Sequence, residues 1–150
     1  MTLLIKDITE IEENICGTIY AGFLIEAENI YRTQREKYCN KIYYICFVDN
    51  EQQCCEDFGY LSTPDDYKSF IGAQIYSYEV IYLNIDEQKL NIKTSKGDIQ
   101  FSAYNNHNGY YYHKIIIQKF DYEKLIDKNF KCEFYNEIYD KILKRNNCNE

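Results

Sequence analysis

The second half of the chain contains three strand-like segments that are separated by very short turns. The segments are Ala73 to Ile85, Lys89 to Thr94 and Ile99 to Tyr104, and the turns are Asp86-Glu87 and Ser95-Lys96-Gly97-Asp98. A tight turn joins antiparallel neighbours, whereas parallel strands need a long crossover connection. These residues therefore predict an antiparallel meander.

Three further segments have the composition of strands. The turn sequence Asn105 to Gly109 is followed by a returning strand, Tyr110 to Gln118. Earlier in the chain, Thr18 to Ala27 and Lys41 to Val48 are rich in β-branched and aromatic residues, which favour strands. The sequence thus predicts an antiparallel sheet of about five to six strands whose core covers about residues 15 to 118.

Two helices are predicted to accompany these strands. The first covers about residues 3 to 14, where apolar residues recur at spacings of three and four, namely Ile5, Ile8, Ile11 and Ile15. The second is short and runs from Pro64 to about Ile71. Ser62 and Thr63 offer hydroxyl groups for its N-cap, and proline suits the first helical position.

A third helix is predicted at the C-terminus, over about residues 131 to 146. Apolar pairs repeat there every four residues, as Phe134-Tyr135, Ile138-Tyr139 and Ile142-Leu143. We expect this amphipathic helix to cover the sheet, and binding to a partner is the alternative. Strands and helices together predict a single α+β domain over residues 1 to 150, since no linker or internal repeat divides the chain.

The charge of the chain limits the partners that it suits. Its formal net charge is −7, with 24 acidic and 17 basic side chains. Nucleic acids bind proteins largely by exchanging counterions for Lys and Arg, so nonspecific nucleic-acid binding is not expected. An acidic surface can steer a protein toward a basic surface on another protein. The expected partner is a protein or a small-molecule ligand.

The cysteines predict a reducing compartment. There are seven, an odd number without a repeating spacing, at positions 16, 39, 46, 54, 55, 132 and 148. The N-terminus shows no apolar segment that would direct secretion, and no apolar run approaches the length of a membrane span. We therefore expect free thiols and a cytoplasmic protein without membrane association.

The most unusual local feature is the segment Cys54-Cys55-Glu56-Asp57. Thiolates are soft metal ligands and nucleophiles, and carboxylates supply acid or base function. Adjacent cysteines on a strand point in different directions, however, and the chain has no CxxC spacing. A structural role is the leading interpretation, metal binding and thiol redox chemistry are the alternatives, and no cofactor is predicted.

The two histidines allow a second chemical interpretation. His107 lies in the predicted Asn-rich turn and His113 lies at the beginning of the returning strand. The simpler interpretation is a solvated turn residue and a sheet residue, and the alternative is that folding joins either histidine to Cys54 or Cys55 in a metal or catalytic site. Phosphate-binding glycine loops and the GxSxG and HExxH motifs are absent from the sequence.

Two motifs, in the order in which they occur in this chain, resemble those of a family of small bacterial and bacteriophage proteins of unknown function. The first is Cys54-Cys55-Glu56, and the second is Asn108-Gly109-Tyr110-Tyr111 within a longer turn. The resemblance covers about residues 15 to 118 and implies a cytoplasmic bacterial or phage origin. It implies no catalytic residues.

These motifs lead to a functional hypothesis. Both occur next to turns, so Cys54 to Asp57 and Asn108 to Tyr111 are expected to lie at the same end of the sheet and form a polar and aromatic binding surface or pocket. The predicted function is noncatalytic binding, as in a host-directed inhibitor of a defence system. A small metal- or thiol-dependent enzyme is the alternative, and a structural homodimer is a third.

Overall fold

The computed structural model describes residues 2–30, 41–49, 57–84, 87–105 and 113–121, together with Glu137. Eight strands account for most of them: β1 (Leu3–Ile15), β2 (Thr18–Asn29), β3 (Lys41–Asp49), β4 (Phe58–Thr63), β5 (Gln74–Asn84), β6 (Glu87–Thr94), β7 (Gly97–Asn105) and β8 (Ile115–Asp121). Within those five ranges, the helical part is limited to a four-residue 3₁₀ helix, Tyr67–Phe70.

All eight strands belong to one antiparallel sheet, in the order β4-β7-β6-β5-β1-β2-β3-β8. Strands β1, β2 and β3 form one meander, and strands β5, β6 and β7 form another. The two edge strands, β4 and β8, each pair with a strand that is distant in sequence. The short turns correctly predicted the meander of β5, β6 and β7. The single meander of five to six strands is wrong, because the predicted returning strand is β8, which pairs with β3 and not with β7, and the sheet has eight strands.

The α+β prediction is wrong, because the described chain is almost entirely antiparallel sheet. The segment predicted as an N-terminal helix is the long strand β1, and Phe58–Thr63, for which no strand was predicted, forms the edge strand β4. The predicted C-terminal helix over residues 131 to 146 lies outside the described residues except for Glu137.

The periodicity of β1 resembles that of a helix because the strand is buried on both faces and contains a bulge. The register with β2 shifts between Ile5 and Asp7. Ile5 and Ile8 consequently face the main core, whereas Ile11 and Ile15 face the opposite side of the sheet, and all four are buried. Apolar residues on both faces, offset by one bulged residue, produce spacings of three and four without a helix.

The helix predicted from Pro64 to about Ile71 is only a single 3₁₀ turn, Tyr67–Phe70, because the residues on either side belong to strands or enter the core. Thr63 pairs with Gln100 as the last residue of β4, so it is not available as a helix cap. Asp66 stands at the N-cap instead and makes no side-chain cap hydrogen bond. Phe70 then inserts into the core, and the chain turns directly into β5.

The sheet folds over on itself and encloses the main core. Side chains from β1, β2 and β3, among them Ile8, Phe23 and Cys46, belong to the same buried cluster as Leu90 of β6 and Phe101 of β7. Two halves of one sheet therefore pack face to face, as in a β-sandwich or a strongly curved sheet. None of the helical residues described here forms a segment long and apolar enough to cross a membrane.

The opposite face of β1, β2 and β3 is also buried. Its apolar residues are outside the main cluster and are Ile11, Ile15, Tyr20, Leu24, Tyr43, Ile45 and Phe47. At the hairpin between β1 and β2, the backbone N–H of Cys16 donates to a carboxylate oxygen of Glu137 at 2.7 Å. This bond places Glu137, from the C-terminal part of the chain, at the end of the three strands.

Substitution of Gly22 is expected to destabilise the protein strongly. Its φ of +154° is unfavourable for residues with a side chain, and a Cβ atom there would overlap the carbonyl oxygen of Cys46 on β3. We expect Gly22→Ala to lower the free energy of unfolding by about 3 kcal/mol or more, measured by urea denaturation. Gly59→Ala is the matched control, because its Cβ would meet only the end of the Tyr104 side chain. Equal losses for the two variants would contradict this account.

Candidate functional site

Most of the site residues predicted from sequence lie outside the described residues. These are Cys54, Cys55, Glu56, Asn108, Gly109, Tyr110 and Tyr111, as well as His107. Asp57 is described and is exposed next to the beginning of β4. The structure does describe the residues from which both segments extend, and these define the candidate site.

The two predicted segments begin and end around one group of residues. Residues 50 to 56 connect Asp49, the last residue of β3, to the beginning of β4, and residues 106 to 112 connect Asn105, the last residue of β7, to His113. Phe58 pairs with Asn105 across β4 and β7. The rings of Phe58 and His113 stack with centroids 3.7 Å apart and an interplanar angle of 8°. All four connection points therefore lie at one end of the sheet.

A buried ion-pair geometry joins β3 to the beginning of β8. His113 Nδ1 lies 2.8 Å from Asp49 Oδ1, and the backbone N–H of Lys114 donates to Asp49 Oδ2 at 2.6 Å. The Asp49 backbone N–H in turn donates to the Lys114 carbonyl at 3.0 Å. Both carboxylate oxygens thus accept hydrogen bonds, and this places the imidazole proton on Nδ1.

This pair has the geometry of a carboxylate-oriented histidine, but its burial indicates a structural role. The side chains of His113 and Asp49 are only 1% and 3% exposed. A carboxylate beside Nδ1 also orients catalytic histidines, which must meet their substrate. Because the pair is enclosed between Phe58 and β3, we assign it to fastening the sheet at the base of the two segments.

Asn105 provides an unusual polar group at the same end. Its side chain is buried, and neither its amide nitrogen nor its amide oxygen has a hydrogen-bond partner within the part of the chain that the structure describes. Buried amides that lack partners are uncommon because desolvation is not compensated. The sequence predicted Asn105 as the first residue of a turn, whereas the structure makes it the last residue of β7, with a buried side chain.

The rim of this end is acidic. Glu13 lies opposite Tyr20, which lies opposite Asp49, so it shares the face of Ile11 and Ile15. Glu10 and Glu12 are exposed on the other face of the same part of β1. With the exposed Asp57, these carboxylates outnumber the one described cation beside them, Lys114. The acidic composition of the chain is therefore reflected in a local acidic surface.

Tyr60 connects this rim to the core. Its ring stacks on Phe101 at 5.0 Å, and its hydroxyl donates to Glu10 Oε2 at 3.2 Å. Burial, followed by the charges of Glu10 and neighbouring groups and the hydrogen bond to Glu10, raises the pKa of Tyr60 to about 12. Tyr60 therefore remains a neutral hydrogen-bond donor and positions the Glu10 carboxylate at the rim.

The interior of the folded sheet contains a small apolar cavity. It is lined by residues that include Ile8, Phe23, Cys46 and Leu90, and the space open to the centre of a water-sized sphere is about 20 Å³. That is enough for about one water molecule. Burial raises the pKa of the Cys46 thiol, so this cysteine is an unreactive thiol in the core.

Metal binding finds no geometric support in the described residues. No group of three His, Cys, Asp or Glu side chains is arranged there to hold an ion. The pair that sequence reasoning missed, Asp49 with His113, is separated by 64 residues. Nothing in the local spacing of either residue indicates that they meet, because the contact depends on the pairing of β3 with β8.

Comparison with known proteins finds no matching family model, no similar curated protein and no similar solved structure. The resemblance to a bacterial and bacteriophage family therefore remains a prediction from sequence.

Removal of Asp49 is expected to destabilise this end of the sheet. Asp49→Ala leaves the His113 ring and the Lys114 N–H without their acceptor, so we expect a loss of about 2–4 kcal/mol in the free energy of unfolding. His113→Phe keeps an aromatic ring against Phe58 and removes the donor. In the double variant the losses should fall short of the sum of the single losses by about 1–3 kcal/mol. Urea denaturation measures all three, and strictly additive losses would contradict the coupling.

Stability is expected to fall at alkaline pH. Burial raises the pKa of Tyr44 from its ordinary 10.0 to about 12, with a further contribution from Tyr78, and Tyr60 has a similarly raised pKa. The native state therefore holds these protons more tightly than the unfolded state, so the stabilisation is complete below pH 10 and is lost as the pH rises through about 12. The urea midpoints of Tyr44→Phe and Tyr60→Phe should fall less steeply with rising pH over this range than those of the parent protein. The exposed Tyr76→Phe is the control, and a slope unchanged in the two test variants would refute the assignment.

Proposed function

We propose that the protein is a noncatalytic binding protein that engages a basic surface of a protein partner. The binding surface is the acidic end of the sheet that carries the residue segments 50–56 and 106–112. The observation that carries this proposal is the convergence of the four connection points of these segments on the buried group formed by Asp49, Phe58, Asn105 and His113.

The rigid base of this surface supports a binding role. Loops that carry function are usually held by a fixed scaffold, which limits the entropy that is lost when a partner binds. Here the Asp49–His113 contact and the stacking of Phe58 on His113 fix the ends of both segments. Substitutions in the segments can then alter the surface without altering the sheet beneath them.

The distribution of charge supports a protein partner. Glu10 and Glu12 are exposed on one face of β1 near its end, and Tyr60 donates a hydrogen bond to the Glu10 carboxylate. An acidic surface increases the rate of association with a basic partner and disfavours nucleic acid. The small interior cavity leaves little room for a ligand, so the surface is better supported than an interior pocket.

A narrower form of this proposal is a host-directed inhibitor of a defence system. Its support is the phage-like resemblance of the Cys54-Cys55-Glu56 and Asn108-Gly109-Tyr110-Tyr111 motifs, together with the net charge of −7. An inhibitor of this kind presents carboxylates to a basic site that normally receives nucleic acid. A cytoplasmic location, proposed from the seven cysteines, agrees with such a partner.

The proposal is tested by isolating the protein with its partner from the source cells. The parent chain is compared with a variant in which one charge at the rim is reversed. The tagged chain is purified and studied by native mass spectrometry and elemental analysis. We expect a metal-free chain with a protein partner, and we expect Glu12→Lys to reduce the amount of recovered partner at least tenfold because it places a cation in the acidic rim.

The matched control is Asp98→Lys, which changes the net charge equally. Asp98 is exposed at the opposite end of β7 from Asn105. Equal loss of partner with both variants would show that overall charge decides binding, and no loss with Glu12→Lys would exclude the rim. One bound metal per chain, accompanied by turnover of a substrate, would replace the proposal with the enzyme alternative.

A further inference from the structure

The strand β5 extends beyond the strand that pairs with it. β1 pairs with β5 only at Leu3 with Ile75 and at Leu4 with Gln74. Two further backbone bonds lie just before β5, from Ile5 N–H to the Ala73 carbonyl at 2.9 Å and from Gly72 N–H to the Ile5 carbonyl at 2.7 Å. Residues 76 to 84 continue past the beginning of β1, so no described strand pairs with that edge of β5. An unpaired edge presents backbone donors and acceptors that can bind another strand.

The side chains along this edge are unusually apolar for a surface. Six large hydrophobic residues of β5 are exposed, with exposed fractions that reach 63% for Tyr76 and 65% for Tyr82; the others are Tyr78, Val80, Ile81 and Leu83. The strand contains one charged residue, Glu79, and no proline or lysine. Edge strands of monomeric proteins commonly carry charged residues, especially lysine, or proline, which prevent association with other strands. The scarcity of these residues in β5 indicates an edge that is normally covered.

We propose that β5 pairs with β5 of a second copy, in antiparallel register about a two-fold axis at Val80. Val80 then faces Val80 of the second copy, Tyr78 faces its Tyr82, and Glu79 faces its Ile81. A register centred one residue earlier would place Glu79 opposite its own counterpart, and like charges in that position are destabilising. The chosen register instead forms two aromatic cross-strand pairs.

The charges beside the edge permit this association despite the acidic composition of the chain. Glu79 lies opposite Asn91 on β6, and Lys89 and Lys93 lie two residues away on either side of Asn91. Residues that alternate along a strand share a face, so two cations flank the Glu79 carboxylate on this side of the sheet. These cations offset the Glu79 carboxylate, so the edge does not carry the acidic charge of the chain as a whole.

The exposed area agrees with a reversible dimer. With about 200 Å² for each large side chain, the six residues expose on the order of 600 Å² in each copy. Two copies together bury at most about 1,200 Å², the lower limit of specific interfaces. Main-chain hydrogen bonds between the two strands add to this area. We therefore expect a dimer that dissociates at micromolar concentrations.

Sedimentation equilibrium of the full chain over a range of concentrations tests the proposal. The parent protein should form a dimer, and Val80→Lys should raise the dissociation constant at least 100-fold because two ammonium groups would meet at the axis. The matched control is Leu61→Lys, which places a lysine at an exposed apolar position on β4, the strand at one end of the sheet. It should leave the dissociation constant unchanged. Thermal unfolding checks that each variant is folded.

Cross-linking tests the register separately. Val80→Cys should form a disulfide-linked dimer on mild oxidation, above the level given by the native cysteines in the parent chain. Leu83→Cys should not, because in this register the two copies of residue 83 lie roughly 20 Å apart along the strands. If the Leu83→Cys variant forms the cross-linked dimer and the Val80→Cys variant does not, the proposed register is wrong.

Two results would overturn the dimer itself. One is a monomer at all concentrations up to about 1 mM, well above the expected micromolar dissociation constant. The other is a parent chain that is monomeric but copurifies with a different protein, which the Val80→Lys variant no longer binds. That result would show that a strand of the other protein occupies the edge. The dimer is independent of the acidic rim, so Glu12→Lys should leave the dissociation constant unchanged.

Discussion

Burial of both faces of the central strands is the constraint on which the rest of the structure depends. Six consecutive residues of β3, Tyr43 to Val48, are at most 2% exposed. A strand in this position needs apolar cover on each side and strand partners on each edge. One side is covered when the sheet folds over and brings β6 and β7 against β2 and β3. The two-sided burial also explains why Gly22 must accommodate the Cys46 carbonyl without a side chain.

The same folding of the sheet creates the candidate site. When the two halves come together, Phe58 at the beginning of β4 reaches His113 at the beginning of β8, although these strands lie at opposite edges of the sheet. Asp49 then holds the His113 ring from β3. The same contacts therefore fasten the two edges of the sheet and hold the described residues from which the two segments extend.

The two proposed surfaces differ in their physical character. The rim near Asp49 is acidic and suits rapid, charge-guided association with a basic protein. The edge of β5 is apolar and offers main-chain hydrogen bonds, which suit pairing with an identical strand. Because the two surfaces use different residues, a dimer would present two acidic rims, and binding of a partner with repeated basic sites would then gain from bivalency.

The sequence by itself determined the acidic charge of the chain and the antiparallel meander of β5, β6 and β7, because short turns and β-branched residues act locally. It failed at β1, where a bulge and burial on both faces imitate the spacing of a helix. Only the tertiary structure decided that Asp49 and His113 meet and that no described strand pairs with residues 76 to 84 on the outer edge of β5. Both depend on which strands become neighbours, and the pairing of distant strands is set by packing of the whole sheet rather than by nearby residues.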